Sequence, residues 1–137
     1  MESTEFKLSE RGINASEYQM LRNTTDWPAF DIQAIEEALE KDLFSVCVTH
    51  KGHVVGMGRI IGDGVLYFYI QDVIVLPEYR GRGVGEIVMR SLENFIEKNG
   101  HTGSFVGLMA ASGVKDFYKK YGYRERPNDR PGMYRII

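Results

Sequence analysis

The chain has 137 residues, 43% hydrophobic and 26% charged, the proportions of one folded domain spanning 1–137. Seventeen Lys and Arg against nineteen Asp and Glu leave a net charge of −2, which supplies no basic field for nucleic acid or an anionic membrane. The lone Cys47 excludes an internal disulfide framework and a cysteine-built metal site. No stretch approaches the roughly 18 apolar residues of a membrane span, and the acidic start at 1–5 is unlike a signal peptide, so a cytoplasmic location is expected. The unusual component is glycine, with fifteen residues, several of them bunched among charges.

Taken in order, residues 4–10 alternate weakly and are expected to form an edge strand. Asn14 with Glu17 reads as a helix start, with the Asn side chain as cap and the Glu reaching back. Residues 24–28, with Trp27 and Pro28, break that helix. Asp31 then caps a second one, whose Ile32, Ile35 and Leu39 share a face. From residue 43 the apolar period changes to that of strands: 43–49, a turn at Lys51-Gly52, 54–61, a turn at 62–64, and a long strand over 65–76 ended by Pro77. Residues 84–99 form the best helix, with Gly100 just past its end. A short apolar strand over 105–110 and a helix over 113–121 follow, with Gly122 as a left-handed cap. One or two final strands are expected within 123–137, around a turn at 127–132. The order implies an α/β fold.

The chemistry starts at Arg80-Gly81-Arg82-Gly83-Val84-Gly85, between the longest strand and the longest helix. A helix N-terminus exposes unsatisfied N–H groups and about half a positive charge, so it attracts an anion. Glycines let backbone approach that anion with no Cβ in the way, and the two arginines add charge. A diphosphate is the best guest. The run is neither of the two familiar phosphate loops: the chain contains no Gly-Lys-Ser/Thr, and Glu86 stands where a dinucleotide fingerprint needs its third glycine.

Arg80-x-x-Gly83-x-Gly85, following Val73–Tyr79, resembles the acetyl-CoA-binding motif of the GNAT superfamily of N-acetyltransferases. Phe117-Tyr-Lys-Lys-Tyr-Gly-Tyr123 is similar to that family's second signature, and one helix and one strand separate the two, as in the family. The resemblance implies a central, mixed, mostly antiparallel twisted sheet of six to seven strands flanked by four helices. It implies acetyl-CoA as co-substrate, with no metal. The backbone of Val73, Ile74 and Val75 would pair with the pantetheine arm beside a bulge in the fourth strand. Arg80, Gly81, Arg82, Gly83, Val84, Gly85 and Glu86 would hold the diphosphate, and the helix carrying Phe117 and Tyr118 would flank the cofactor. Many members carry an Asn where this chain has Ala111; Ser112 is the substitute at hand.

Tyr118 matches the family's general acid. A phenol with a pKa near 10 is protonated at neutral pH and can donate to the departing CoA sulfur, although an aromatic on such a helix also serves as core packing. For the base, the long strand offers Tyr69, Gln71 and Asp72. Many relatives have an acid where Gln71 stands, and Gln cannot take a proton. Asp72 is either the base or a structural carboxylate, and it shares a face with Gln71 only if a bulge intervenes. Cys47, among valines, reads as buried and inert, and the three histidines lack metal-ligand spacing.

The resemblance implies an acceptor site covered by residues 24–30 and 126–134. Trp27, Phe30, Tyr69, Met133 and Tyr134 would line it, and Asp26 would attract an ammonium. The expected activity is acetyl transfer to a primary amine by direct attack in a ternary complex, with a small-molecule amine ahead of a peptide or protein lysine. A sensor module that binds acyl-CoA without turnover is the competing class. The terminal strand offers an edge for a homodimer.

Overall fold

The computed structural model describes residues 5–137. The expected edge strand starts at residue 4, so its first position lies outside the described residues. The elements run β1 (Phe6–Ser9), α1 (Ala15–Arg22), α2 (Ile32–Leu39), β2 (Phe44–His50), β3 (His53–Gly62), β4 (Tyr67–Val75), α3 (Val84–Asn99), β5 (Phe105–Gly107) and α4 (Lys115–Lys119). The strands form one sheet in chain order, antiparallel from β1 to β4, with β5 parallel to β4. Among the described residues no helix is long and apolar enough to cross a membrane.

Local chemistry fixes most boundaries. Asn14 accepts from the Glu17 amide (2.8 Å) while the Glu17 carboxylate accepts from the Asn14 amide (3.1 Å), the reciprocal capping expected for α1. Asp31 caps α2 by accepting from the Ala34 amide at 2.8 Å. The strand expected from residue 65 begins at Tyr67, because Asp63 accepts from the amides of Val65, Leu66 and Tyr67 and holds them in a turn.

The sheet carries a core on each face. On one face Val46, Val48, Ile60, Phe68 and Ile70 pack against Val84, Val88, Met89 and Leu92 of α3 and Tyr118 of α4. On the other, Cys47, Val54, Met57 and Ile74 pack against Tyr18 and Leu21 of α1 and Ile35 of α2. Two glycines of β3 let α3 lie directly on the sheet. A Cβ at Gly56 would sit 2.6 Å from a Val84 methyl, and one at Gly58 would sit 2.6 Å from Val88 and 2.9 Å from Leu92.

Among the described residues five strands stand where six to seven are expected. The difference is the terminal segment: residues 123–137 form no strand, although the expected turn is made, with the Arg130 amide donating to the Pro127 carbonyl at 2.9 Å. The two prolines flanking that turn have no N–H to give a ladder. Beyond them the side chains stay in solvent, Tyr134 being 77% and Ile136 72% exposed.

The close approach of α3 makes the β3 glycines indispensable. Gly58→Val is expected to lower the free energy of unfolding by about 1–3 kcal/mol through overpacking, measured by urea denaturation.

Candidate active site

The long strand breaks register in its second half. Arg59 faces Gln71 and Met57 faces Ile74, so two residues of β4, Asp72 and Val73, oppose the single Gly58. This is a β-bulge, and Asp72 takes a left-handed backbone there, with φ 57°. The inward face of the strand shifts by one residue: Phe68 and Ile70 pack toward α3 before the bulge, Val73 and Val75 after it. Gln71 and Asp72 therefore lie together, the Gln71 amide donating to Asp72 Oδ1 at 3.3 Å. β5 pairs with β4 only from Tyr67 to Tyr69, so the edge of β4 at Val73, Ile74 and Val75 has no strand beside it among the described residues.

Asp72 is enclosed, its side chain 1% exposed. Its Oδ2 accepts from the Tyr18 hydroxyl and from Arg59 Nη1, both at 2.7 Å. Oδ1 accepts from Arg22 Nη1 at 3.3 Å as well as from Gln71. Arg59 in turn donates through Nε to Asp42 at 2.8 Å. Burial opposes the charge on Arg59, but Asp42 and Asp72 outweigh it and raise its pKa. Burial raises the Asp42 pKa against the pull of Arg59. Burial, reinforced by Asp72, likewise raises that of Tyr18. The carboxylate proposed from sequence as base or brace thus has both oxygens occupied. Its partners Tyr18, Arg22 and Arg59 carry no motif; the one sign in the sequence is a charged residue inside the apolar run 54–61.

The glycine-rich turn has the form of an anion cradle. Gly81 and Gly83 have φ of 76° and 87°, and a Cβ at either would meet nothing within 4 Å, so glycine is required for backbone conformation on an open surface. Gly83 caps α3 with no side-chain hydrogen bond, unlike Asn14 and Asp31 at α1 and α2. Among the described residues no side chain caps the first-turn amides of Val84, Gly85 and Glu86, which leaves them for another acceptor. Arg80 is exposed. Arg82 lies back over the rings of Phe6 and Tyr79, 5.2 Å from each, with Glu5 at 3.7 Å.

The second motif packs on the first. Phe117 sits against Gly85, where an added Cβ would approach to 3.2 Å, and Tyr123 donates to Glu93 of α3 at 2.6 Å. Lys120 of the same segment lies 3.5 Å from Glu86. α4 is shorter than the helix expected over 113–121, and Gly122 takes the expected left-handed turn, with φ 92°. Tyr118 is 8% exposed in the core beside α3, and burial raises its pKa above the ordinary phenol value, so it keeps its proton at neutral pH. Ser112 is exposed on the connection between β5 and α4.

A matched domain family decides what this arrangement is: residues 9–131 match the acetyltransferase (GNAT) domain. The chain belongs to the GNAT family of N-acetyltransferases. An uncharacterized N-acetyltransferase of Pyropia yezoensis is 26% identical over 130 residues, 92% of this chain and 74% of the relative. Among solved structures, a protein of unknown function from meticillin-resistant Staphylococcus aureus is 30% identical with a TM-score of 0.91, the match covering 96% of this chain and 99% of that one. A GNAT family acetyltransferase from Streptococcus pneumoniae, 25% identical, has a TM-score of 0.81 over 96% of this chain and 98% of its own.

Of the residues expected to receive the acceptor, the structure gathers Trp27 and Phe30 around Arg22, whose guanidinium lies 5.4 and 4.9 Å from their ring centres. Tyr69 is half-buried where β5 ends, and burial raises its pKa. Met133 is 85% exposed on the terminal segment and joins neither apolar cluster. Cys47 is fully buried, which raises its thiol pKa and suits the inert role expected of it.

Tyr118→Phe is expected to lower turnover about 10²-fold with CoA affinity unchanged, read by steady-state kinetics and calorimetry. Because its pKa is raised, Tyr118 should also give the wild-type rate no descending limb below about pH 10. Gly83→Val should weaken CoA binding by more than about tenfold while circular dichroism remains native, because the side chain disfavours the left-handed turn that aims the cradle amides.

Proposed function

We propose that this GNAT acetyltransferase moves an acetyl group from acetyl-CoA to the primary amine of a small molecule, within a ternary complex. Acetyl-CoA would supply the activated thioester. The observation that carries the reading is the alignment of two features on one strand-helix unit: an unpaired strand edge at Val73, Ile74 and Val75, and an uncapped helix start at Val84, Gly85 and Glu86. The first offers hydrogen bonds to an amide-bearing arm, the second to a diphosphate. Arg80 and the nearby Arg82 add positive charge, and Phe117 and the exposed Ser112 flank the arm from the α4 side.

Within this reading Tyr118 holds the proton that the departing thiolate needs. Its burial favours the neutral phenol, so the hydrogen is available as a donor when sulfur begins to carry charge. Asp72 has its oxygens committed to four donors, and we assign it to shaping the site, with the amine losing its proton to solvent before attack. The amine nitrogen then forms its bond to the acyl carbon as the carbon–sulfur bond breaks; Tyr118 protonates the sulfur, and the proton shed by the nitrogen restores the phenol through solvent. Phe30 and Trp27, with Tyr69 nearer the edge of β4, would form the aromatic side of the acceptor site. Two arginines sit close to these aromatics, Arg22 and Arg59, and the carboxylates of Asp72 and Asp42 together balance their charge, which limits repulsion of an ammonium.

Incubation with acetyl-CoA and a panel of amines, with free thiol followed, tests the reading. Thiol release with small primary amines is expected, with kcat/KM rising with pH toward the pKa of each free amine. CoA binding with no turnover on any amine would instead support the sensor, and turnover confined to peptide lysines would reject the small-molecule acceptor.

A further inference from the structure

Arg22 stands at the meeting of the two halves of the proposed site. It is the last residue of α1, and its side chain is 11% exposed. Nη1 donates to Asp72 Oδ1 at 3.3 Å and to the Tyr18 hydroxyl at 3.1 Å. Nε donates to the carbonyl of Pro28 at 2.7 Å. Trp27 and Phe30 lie against the guanidinium, and Gln19 of the same helix donates to the carbonyl of Phe30 at 3.2 Å. Arg22 thus holds the connection between α1 and α2 at Trp27, Pro28 and Phe30, with Gln19 as a second tie, and the carboxylate in the β4 bulge fixes the guanidinium. Beside it lies a cavity of about 180 Å³ that Tyr18, Phe30, Ile35 and Arg59 help to line.

We propose that Arg22 is a positioning residue: through Asp72 and the aromatic pair it sets the loop at 24–30 against the bulge, and so places the acceptor amine relative to the thioester. The inference rests on the reading of the site as an acetyl-CoA-dependent amine acetyltransferase. A planar guanidinium is needed for the role, because it must stack on rings and donate in two directions at once. Lysine would keep the charge toward Asp72 and lose the stack and the bond to Pro28.

The test compares wild type, Arg22→Met and Arg22→Lys in the full chain. Trp27 is the sole tryptophan, so its emission reports the loop without any reaction. In Arg22→Met the emission should shift to the red, the acceptor KM should rise about tenfold or more, and the acetyl-CoA Kd should stay at the wild-type value. Arg22→Lys should show the same red shift with most of the KM rise. An unchanged acceptor KM alongside shifted emission would overturn the proposal, as would full rescue by lysine. A rise in acetyl-CoA Kd in parallel with acceptor KM would also overturn it, since Arg22 would then be bracing the whole fold. A wild type that binds CoA yet acetylates no amine would fail at the underlying reading instead, and is told apart by its own lack of turnover.

Discussion

The ion pair between Asp72 and Arg59 lies where the sheet departs from regular pairing. A left-handed backbone costs a residue with a side chain about 1–2 kcal/mol, and burying two charges costs several more. The surrounding donors offset these costs. Tyr18, Arg22, Arg59 and Gln71 together occupy both oxygens of Asp72, and Asp42 holds the other side of Arg59. Such a cluster is a poor source of net stability, but a strong determinant of one arrangement: removing either partner strands a buried charge, at about 3–5 kcal/mol. The bulge is held as a fixed feature, and the edge of β4 that it presents is fixed with it.

The α3 start is organised around the opposite strategy. Where α1 and α2 spend side chains on their first-turn amides, α3 begins with a bare glycine and leaves them unmet. Phe117 and Tyr123 bring the second motif onto the same helix, one at its first turn and one at Glu93, so the two signatures separated in sequence become one wall in space. Belonging to the GNAT family accounts for their presence; the contacts account for their spacing, since the strand and helix between them return the chain to α3.

Local signals made much of this legible beforehand. The bounds of α3 follow from apolar period and a terminal glycine, and the caps of α1 and α2 from residue type. The bulge is what the family resemblance implies, and strand alternation makes it the condition for Gln71 and Asp72 to share a face. What escaped was non-local. No spacing rule joins Tyr18, Arg22, Asp42 and Arg59 to Asp72, because they come from two helix positions, a loop and a neighbouring strand. β4 starts two residues later than its apolar run because three amides answer to Asp63 in the turn rather than to a ladder. The final strands are expected around a turn at 127–132, and that turn forms without them. Apolar character makes a segment suitable for a sheet, but pairing needs a partner and N–H groups that Pro127 and Pro131 lack.

The two β3 glycines beneath α3 have a geometric consequence for the chemistry. Gly56 lies under Val84, the first residue of the helix whose amides form the cradle, and Gly58 lies opposite the bulge. Two absent methyl groups therefore set both ends of a ruler: the height at which a diphosphate would rest, and the point along β4 where the sheet opens. A cofactor of fixed length between phosphate and sulfur must span that interval. Under the proposed function, these two glycines would gauge the acyl donor from the sheet, beneath the helix whose start would hold its phosphates.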